Sequence, residues 1–356
     1  MSRMFVPGPV DVADEVLQAQ AAPMLPHRSK EFETIFRRAS EKAQQLFYTK
    51  YRVFLAAASG TGLQEAAIRN FVHKRVLSVV NGAFADRWYE VAVYNGKEVD
   101  ELAFDWNIPA SPDRIADTVK KGGFEALTIV HNETSTGLQN PVKEIAAAVH
   151  TVAPDTLIFV DAVSSLGGAK IEMDAWGIDM LLTSSQKCLA LPPGLALGAV
   201  SDRAMKKAET VENRGWYFDL VRMEKHRLKD SSPATPAMSL IYALDFQLDR
   251  ILAEGLENRF VRHSAMAKRV QEWADAHDLS MYAPDGFRSQ TVTTIKNDRG
   301  ISISDLNTFL KQREMRIANG YGQLKEKTFR IAHMGETQME DIEKLLEAME
   351  EYLKKS

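Results

Sequence analysis

The chain has 356 residues, and its 44 Lys+Arg against 48 Asp+Glu leave a net charge of −4, which argues against a general nucleic-acid or membrane-surface binder. Hydrophobic residues at 45% and charged residues at 26% exclude a largely disordered chain. The one cysteine, Cys188, excludes an intrachain disulfide framework and a zinc site built on several thiolates.

No apolar stretch approaches the roughly 20 residues of a membrane span. The opening MSRMFVPGPVDVADE has prolines and acids where a signal peptide needs an apolar core, so a cytoplasmic location is expected. Residues 1–20 read as an irregular segment that packs on the smaller domain or on a partner subunit. From Tyr51 to about Asp202, apolar runs alternate with amphipathic helical stretches. The runs begin at Tyr51, Val76, Val99, Ala126, Thr156, Asp179 and Leu195. Several are apolar almost throughout, as in strands covered on both faces. LQEAAIRNFVHKR and PVKEIAAAVHTV read as helices between them, the second with Pro141 at its first helical position. This alternation predicts an α/β fold with helices around a mainly parallel sheet. Beyond Asp202 a polar segment, KDSSPATPAM, leads into a long helical stretch from about Ser239 to His277. Strand TVTTIKN, helix SDLNTFLKQREM, strand KTFRIAHMG and helix QMEDIEKLLEAMEEYLKK then form a small α+β unit. The expected division is a large domain over 21–255 and a small C-terminal domain over 256–356, with the boundary inside the long helix.

Ligands of open parallel sheets bind at the carboxyl ends of the strands, so the polar residues that follow each run are the candidates for chemistry. Ser59-Gly60-Thr61-Gly62 precedes a helix and reads either as a phosphate cradle or as a plain strand-to-helix turn. Asp161 ends a buried run and needs a partner there, which could be a metal, a ligand N–H, a protonated ring nitrogen or a loop it braces. Lys187 lies just past another run. It is either a desolvated amine able to form a Schiff base or a lysine that snorkels to the surface. As a set, the three match what pyridoxal 5′-phosphate requires: a phosphate site, a carboxylate for the pyridinium nitrogen and an amine for the aldehyde. Arg330, amid apolar neighbours, calls for a planar anion, either a ligand carboxylate or an internal Asp or Glu. His73, His150, His226, His263 and His277 read as surface residues, and no metal-ligand spacing is present.

FVDAVSSLGG and SSQKCLALPPG resemble the corresponding stretches of class V, fold-type I pyridoxal-phosphate aminotransferases, as do PGPV, PHRSKEF, SGTG, NGAFADRW, HNETSTGLQNP and FRIAHMG. The resemblance spans nearly the whole chain and is to the branch of alanine–glyoxylate, serine–glyoxylate and serine–pyruvate aminotransferases. It implies that Lys187 carries the cofactor and moves the proton, and that Asp161 pairs with the pyridinium nitrogen. It implies that Ser59, Gly60, Thr61 and Gln186 surround the phosphate, with Thr235 reaching it from the neighbouring subunit of a homodimer that shares its active sites. Phe84 falls where the family stacks an aromatic ring, often tryptophan, on the pyridine. Thr134 matches a residue that bonds the phenolic oxygen, and Arg330 one that holds the substrate α-carboxylate. The implied reaction moves the amino group of alanine or serine to glyoxylate or pyruvate by a ping-pong mechanism. One alternative is phosphoserine, or another anionic side chain, bound through His27 and Arg28. A more distant one is a non-catalytic assembly subunit. Cys188 adjoins Lys187 and is not placed as a desulfurase cysteine would be.

Overall fold

The computed structural model describes residues 3–354. Met1, Ser2, Lys355 and Ser356, the outermost residues of the expected segment 1–20 and domain 256–356, lie outside the described residues. The first strands in chain order are β1 (Arg3–Phe5), β2 (Arg52–Ala56), β3 (Arg75–Val80), β4 (Glu98–Ala103) and β5 (Ala126–Val130). A short hairpin, β6 (Asn132–Glu133) and β7 (Leu138–Gln139), precedes β8 (Leu157–Asp161), β9 (Met180–Ser184) and β10 (Ala196–Val200). The last three are β11 (Val292–Lys296), β12 (Met315–Asn319) and β13 (Thr328–Ala332).

The seven apolar runs form one sheet in the order β2-β10-β9-β8-β5-β3-β4. Its strands run parallel except β10, which is antiparallel to both its neighbours. Along β8 the side chains alternate between two cores: Ile158 and Val160 enter one, Leu157 and Phe159 the other. Helices cover both faces over the central strands, so β5, β8, β9 and β10 have no solvent face to keep polar, whereas the edge strand β4 buries Leu102 alone. Each such large apolar side chain contributes about 1.5–3 kcal/mol by leaving water. This is the α/β sandwich expected from the alternating pattern.

A second sheet, ordered β1-β12-β13-β11, packs on its own core, which includes Trp273, Ile295, Phe329 and Leu345. Within segment 1–20, β1 joins this smaller sheet by pairing parallel to β12, whereas Val16 on the helix Asp14–Gln20 is buried in the larger core. The helical stretch expected from Ser239 to His277 is two helices, Met238–Glu254 and Leu256–Asp275, interrupted at Gly255, whose φ of +82° suits glycine. Pro141 is the residue that caps the helix Val142–Val152, one position before its first turn. The helix expected through Met315 stops at Lys311, because Glu314 turns the chain at a φ of +57° into β12. His263, expected at the surface, is fully buried: the helix Leu256–Asp275 is covered on that side, and the His263 Nδ1 lies 2.7 Å from the Arg259 carbonyl oxygen.

Candidate active site

Because β8 and β9 are parallel neighbours, their carboxyl ends lie together. Asp161 is the last residue of β8, and Lys187 stands in the turn after Ser184, the last residue of β9. β2 ends nearby and turns through Ser59 into the helix Gly60–Phe71, which crosses the sheet toward β3. Gln64, on that helix, donates from Nε2 to Asp161 Oδ2 at 2.6 Å, and the backbone N–H of Val163 donates to Oδ1 at 2.8 Å. Burial raises the Asp161 carboxyl to about 6, opposed by these two hydrogen bonds and by the positive charge of Lys187. Burial lowers the Lys187 amine to about 8, and the nearby Arg330 guanidinium pushes the same way. Its Nζ donates to the Pro7 carbonyl. Gly8, at φ +96°, lies flat against the lysine tail, where a Cβ would stand 2.5 Å from Lys187 Cδ.

A cavity of about 200 Å³ opens among these elements. Ser59, Gly60 and Thr61 line it at the helix start, Asp161, Gln186 and Lys187 at the strand ends, and Phe84 and Thr134 complete the expected set. The Ser59 side chain caps no N–H of its own helix. Gly60 is demanded by packing, since a Cβ would lie 2.4 Å from Val163 Cγ2. Thr134 Oγ1 donates to Ser164 Oγ at 2.7 Å.

Phe84 opens the helix Ala83–Tyr94, and the buried Glu133 holds that helix in place. The Glu133 carboxylate accepts from the backbone N–H groups of Phe84 at 3.1 Å, Ala85 at 3.0 Å and Ser135 at 3.1 Å, and from Ser135 Oγ at 2.6 Å. Gly82 has to be small, because a Cβ there would stand 2.2 Å from Glu133 Cγ.

Arg330, on β13, is 8% exposed. It donates from Nε to the Asn319 carbonyl at 3.1 Å and from Nη1 to the Thr134 carbonyl at 3.2 Å. Among the described residues it makes no ion pair, so the internal salt bridge left open by the sequence is not formed. Burial lowers its guanidinium to about 10. Arg330 adjoins the cavity through Thr134 without lining it, and Thr235, His27 and Arg28 do not line the cavity of the single chain either. Thr235 lies in the loop before the helix Met238–Glu254, and the charge of Arg28 is felt at His226 instead.

The donor set fits pyridoxal phosphate. Four buried atoms on the cavity wall have no protein partner: Gln64 Oε1, Asn132 Oδ1, Ser184 Oγ and Gln186 Oε1. Buried polar atoms are rarely left unpaired unless a ligand or water serves them. A helix start suited to an anion, a buried carboxylate and an amine of lowered basicity complete the requirement.

Gln64, Arg87, Asn132, Glu133, Ser184 and Tyr321 were missed in the sequence. Gln64 lies four positions after Gly60 and Arg87 three after Phe84, so helical spacing alone puts each on the right face. Asn132 and Glu133 sit beside Thr134 in HNETSTG, and Ser184 closes an apolar run. For Tyr321 no local signal exists, since its neighbours in space are remote in the chain.

The family model of aminotransferase class-V matches residues 11–345. An uncharacterised aminotransferase of Methanocaldococcus jannaschii is 38% identical over 339 residues, which cover 93% of this chain and 87% of the relative. The L-aspartate–glyoxylate aminotransferase of Paracoccus denitrificans is 34% identical over 341 residues, covering 93% and 86%. Among solved structures, the alanine–glyoxylate aminotransferase of Nostoc sp. superposes with a TM-score of 0.93 at 28% identity, covering 99% of this chain and 96% of that one.

Proposed function

The chain belongs to the class-V aminotransferases, enzymes that work with pyridoxal 5′-phosphate, and from that membership we propose that it moves the amino group of a small L-amino acid to glyoxylate or pyruvate by a ping-pong route. Two of the relatives above are named for glyoxylate, one paired with aspartate and one with alanine, which widens the expected donors beyond alanine and serine. The observation that supports this reading most is the meeting of Asp161, Lys187 and the start of the helix Gly60–Phe71 in one cavity, with Arg330 close enough to depress the lysine.

When bound, the cofactor supplies an electron sink that acidifies the Cα–H of the amino acid. Ser59, Gly60, Thr61 and Gln186 would hold its phosphate, where helix N–H groups favour negative charge. Asp161, oriented by Gln64 and Val163, would keep the ring nitrogen protonated. Phe84, fixed by Glu133, offers an apolar face to the ring, and Thr134 a hydroxyl to the phenolic oxygen. Arg330 takes the substrate α-carboxylate, the bidentate acceptor its buried guanidinium lacks. Lys187, with its basicity lowered toward neutrality, takes the proton from Cα and returns it one step later. The Pro7 carbonyl steadies Nζ between these transfers.

Thr235, His27 and Arg28 stand outside this cavity, which is consistent with a homodimer in which a second copy brings Thr235 to the phosphate. A phosphoserine substrate read by His27 and Arg28 gains no support from the single chain. The test is a half-reaction. The holoenzyme given an amino acid and no acceptor should release about one 2-oxo acid per site and stop. In Lys187→Ala that release should slow by about 10²–10⁴-fold. Release at the wild-type rate from that variant would refute the proposal.

A further inference from the structure

Arg330, which adjoins the cavity wall through the Thr134 carbonyl, is not the one arginine near the site that lacks an ion-pair partner among the described residues. Arg87, on the helix Ala83–Tyr94, lines the cavity and makes no ion pair among the described residues. Its Nη2 donates to Tyr321 Oη at 3.3 Å, and its guanidinium carbon lies 4.9 Å from the centre of the Phe84 ring. The Tyr321 ring is 5.3 Å from the Phe84 ring and 5.5 Å from the Arg330 guanidinium carbon. One phenol thus holds a guanidinium at its hydroxyl and another at its face. The nearby carboxylates are already committed, Glu133 to backbone N–H groups and Ser135, Asp161 to Gln64 and Val163. Both arginines also act on Lys187, lowering it. Glu133 acts on Arg330 and Asp161 feels Arg87 through space, but neither carboxylate forms an ion pair with a guanidinium, and a single α-carboxylate would pair with only one of the two arginines.

Resting on the transaminase reading above, we propose that Arg87 is a specificity-determining residue that receives the side-chain carboxylate of a dicarboxylic amino donor of the aspartate class, while Arg330 holds its α-carboxylate. Tyr321 contacts both guanidiniums and so sets the spacing of the pair, and the Phe84 ring supports the Arg87 guanidinium, whose planar fork suits a carboxylate. Acidic donors are then bound at both ends, whereas alanine leaves the Arg87 guanidinium unpaired.

The first test is binding without turnover. Titrating the holoenzyme calorimetrically with succinate and with butyrate, four-carbon acids that differ by one carboxylate, should show succinate binding about 30-fold or more tighter, the loss typical of an unpaired buried charge. Arg87→Leu should erase that difference, and Arg87→Lys should keep part of it. In turnover, the ratio of kcat/KM for L-aspartate to that for L-alanine should fall by about 30-fold or more in Arg87→Leu. Should the leucine variant fail to fold, the wild-type comparison and the lysine variant still decide. Equal binding of the two acids, a ratio untouched by substitution, or a preference for L-phosphoserine over L-aspartate would overturn the inference. An enzyme that converts alanine without any dicarboxylate preference overturns this inference alone. One that converts no amino acid overturns the transaminase reading beneath it.

Discussion

Asp161 and Lys187 are displaced from their ordinary titration ranges by burial, in opposite directions, and each moves the other back toward its charged form. The carboxylate is the more telling of the two. Its pKa near 6 in the native protein compares with about 3.9 in an unfolded chain. Between those values the native state binds more protons than the unfolded state, so Asp161 makes the cofactor-free protein less stable as pH rises from about 4 to about 6. In Asp161→Asn that decline should disappear. Melting temperatures followed across this interval decide it, and identical profiles for the two proteins would contradict the buried-carboxylate account. Asp161 and Lys187 were readable because each ends or follows a buried strand, where an ionisable residue needs a reason to be. Arg330 stood out likewise, as a charge within an apolar run. Gln64 and Arg87 share helix faces with recognised residues and could have been found by counting turns. Tyr321 could not, because only the folded chain brings it to Phe84, Arg87 and Arg330.

Among the elements, the helix Ala83–Tyr94 depends on a carboxylate from another part of the chain. Gly82 offers no capping side chain, and Glu133 serves the orphan N–H groups of the first turn in its place. Glu133→Gln keeps the shape but weakens charge-assisted bonds at a buried site, so the protein should lose about 1–3 kcal/mol of stability. Because the same turn carries Phe84, affinity for pyridoxal phosphate should fall together with stability, read by urea unfolding and by quenching of protein fluorescence. A variant that unfolds earlier but binds the cofactor unchanged would show that Glu133 serves the helix and not the site. The central strands of the large sheet were legible since β5, β8, β9 and β10 are buried throughout and mostly apolar, while the edge strand β4 carries Glu98, Asp100 and Glu101. β1 and β12 were not. The first has three residues, the second includes Arg316 and Asn319, and their pairing joins opposite ends of the chain. Gly255 was visible as a glycine in a helical stretch, and its positive φ shows why the stretch is two helices.

At the scale of the whole molecule, one buried side chain ties together segments from both sheets beside the site. Arg259, 1% exposed, donates to the carbonyls of Gly167, Cys188 and Gly335 and pairs with Glu254 and Glu336. Those carbonyls belong to the segments that follow Asp161, Lys187 and Arg330, so the backbone beside three proposed site residues shares one anchor. Thr235, His27 and Arg28 lie outside this assembly, and a second copy of the chain is the proposed source of Thr235. Light scattering from the purified holoenzyme should therefore give twice the 39.8 kDa chain mass, and Thr235→Ala should weaken cofactor binding. A fully active monomer would contradict the shared-site arrangement.

Lys187 is proposed to hold pyridoxal phosphate in the cavity between β8, β9 and the helix Gly60–Phe71. Reducing the holoprotein with borohydride makes that linkage permanent, and peptide mass spectrometry then reads its position. A single pyridoxyl group on Lys187, lost in Lys187→Ala, is the expected result. A label on another lysine, or none under conditions in which the protein binds the cofactor, would contradict it.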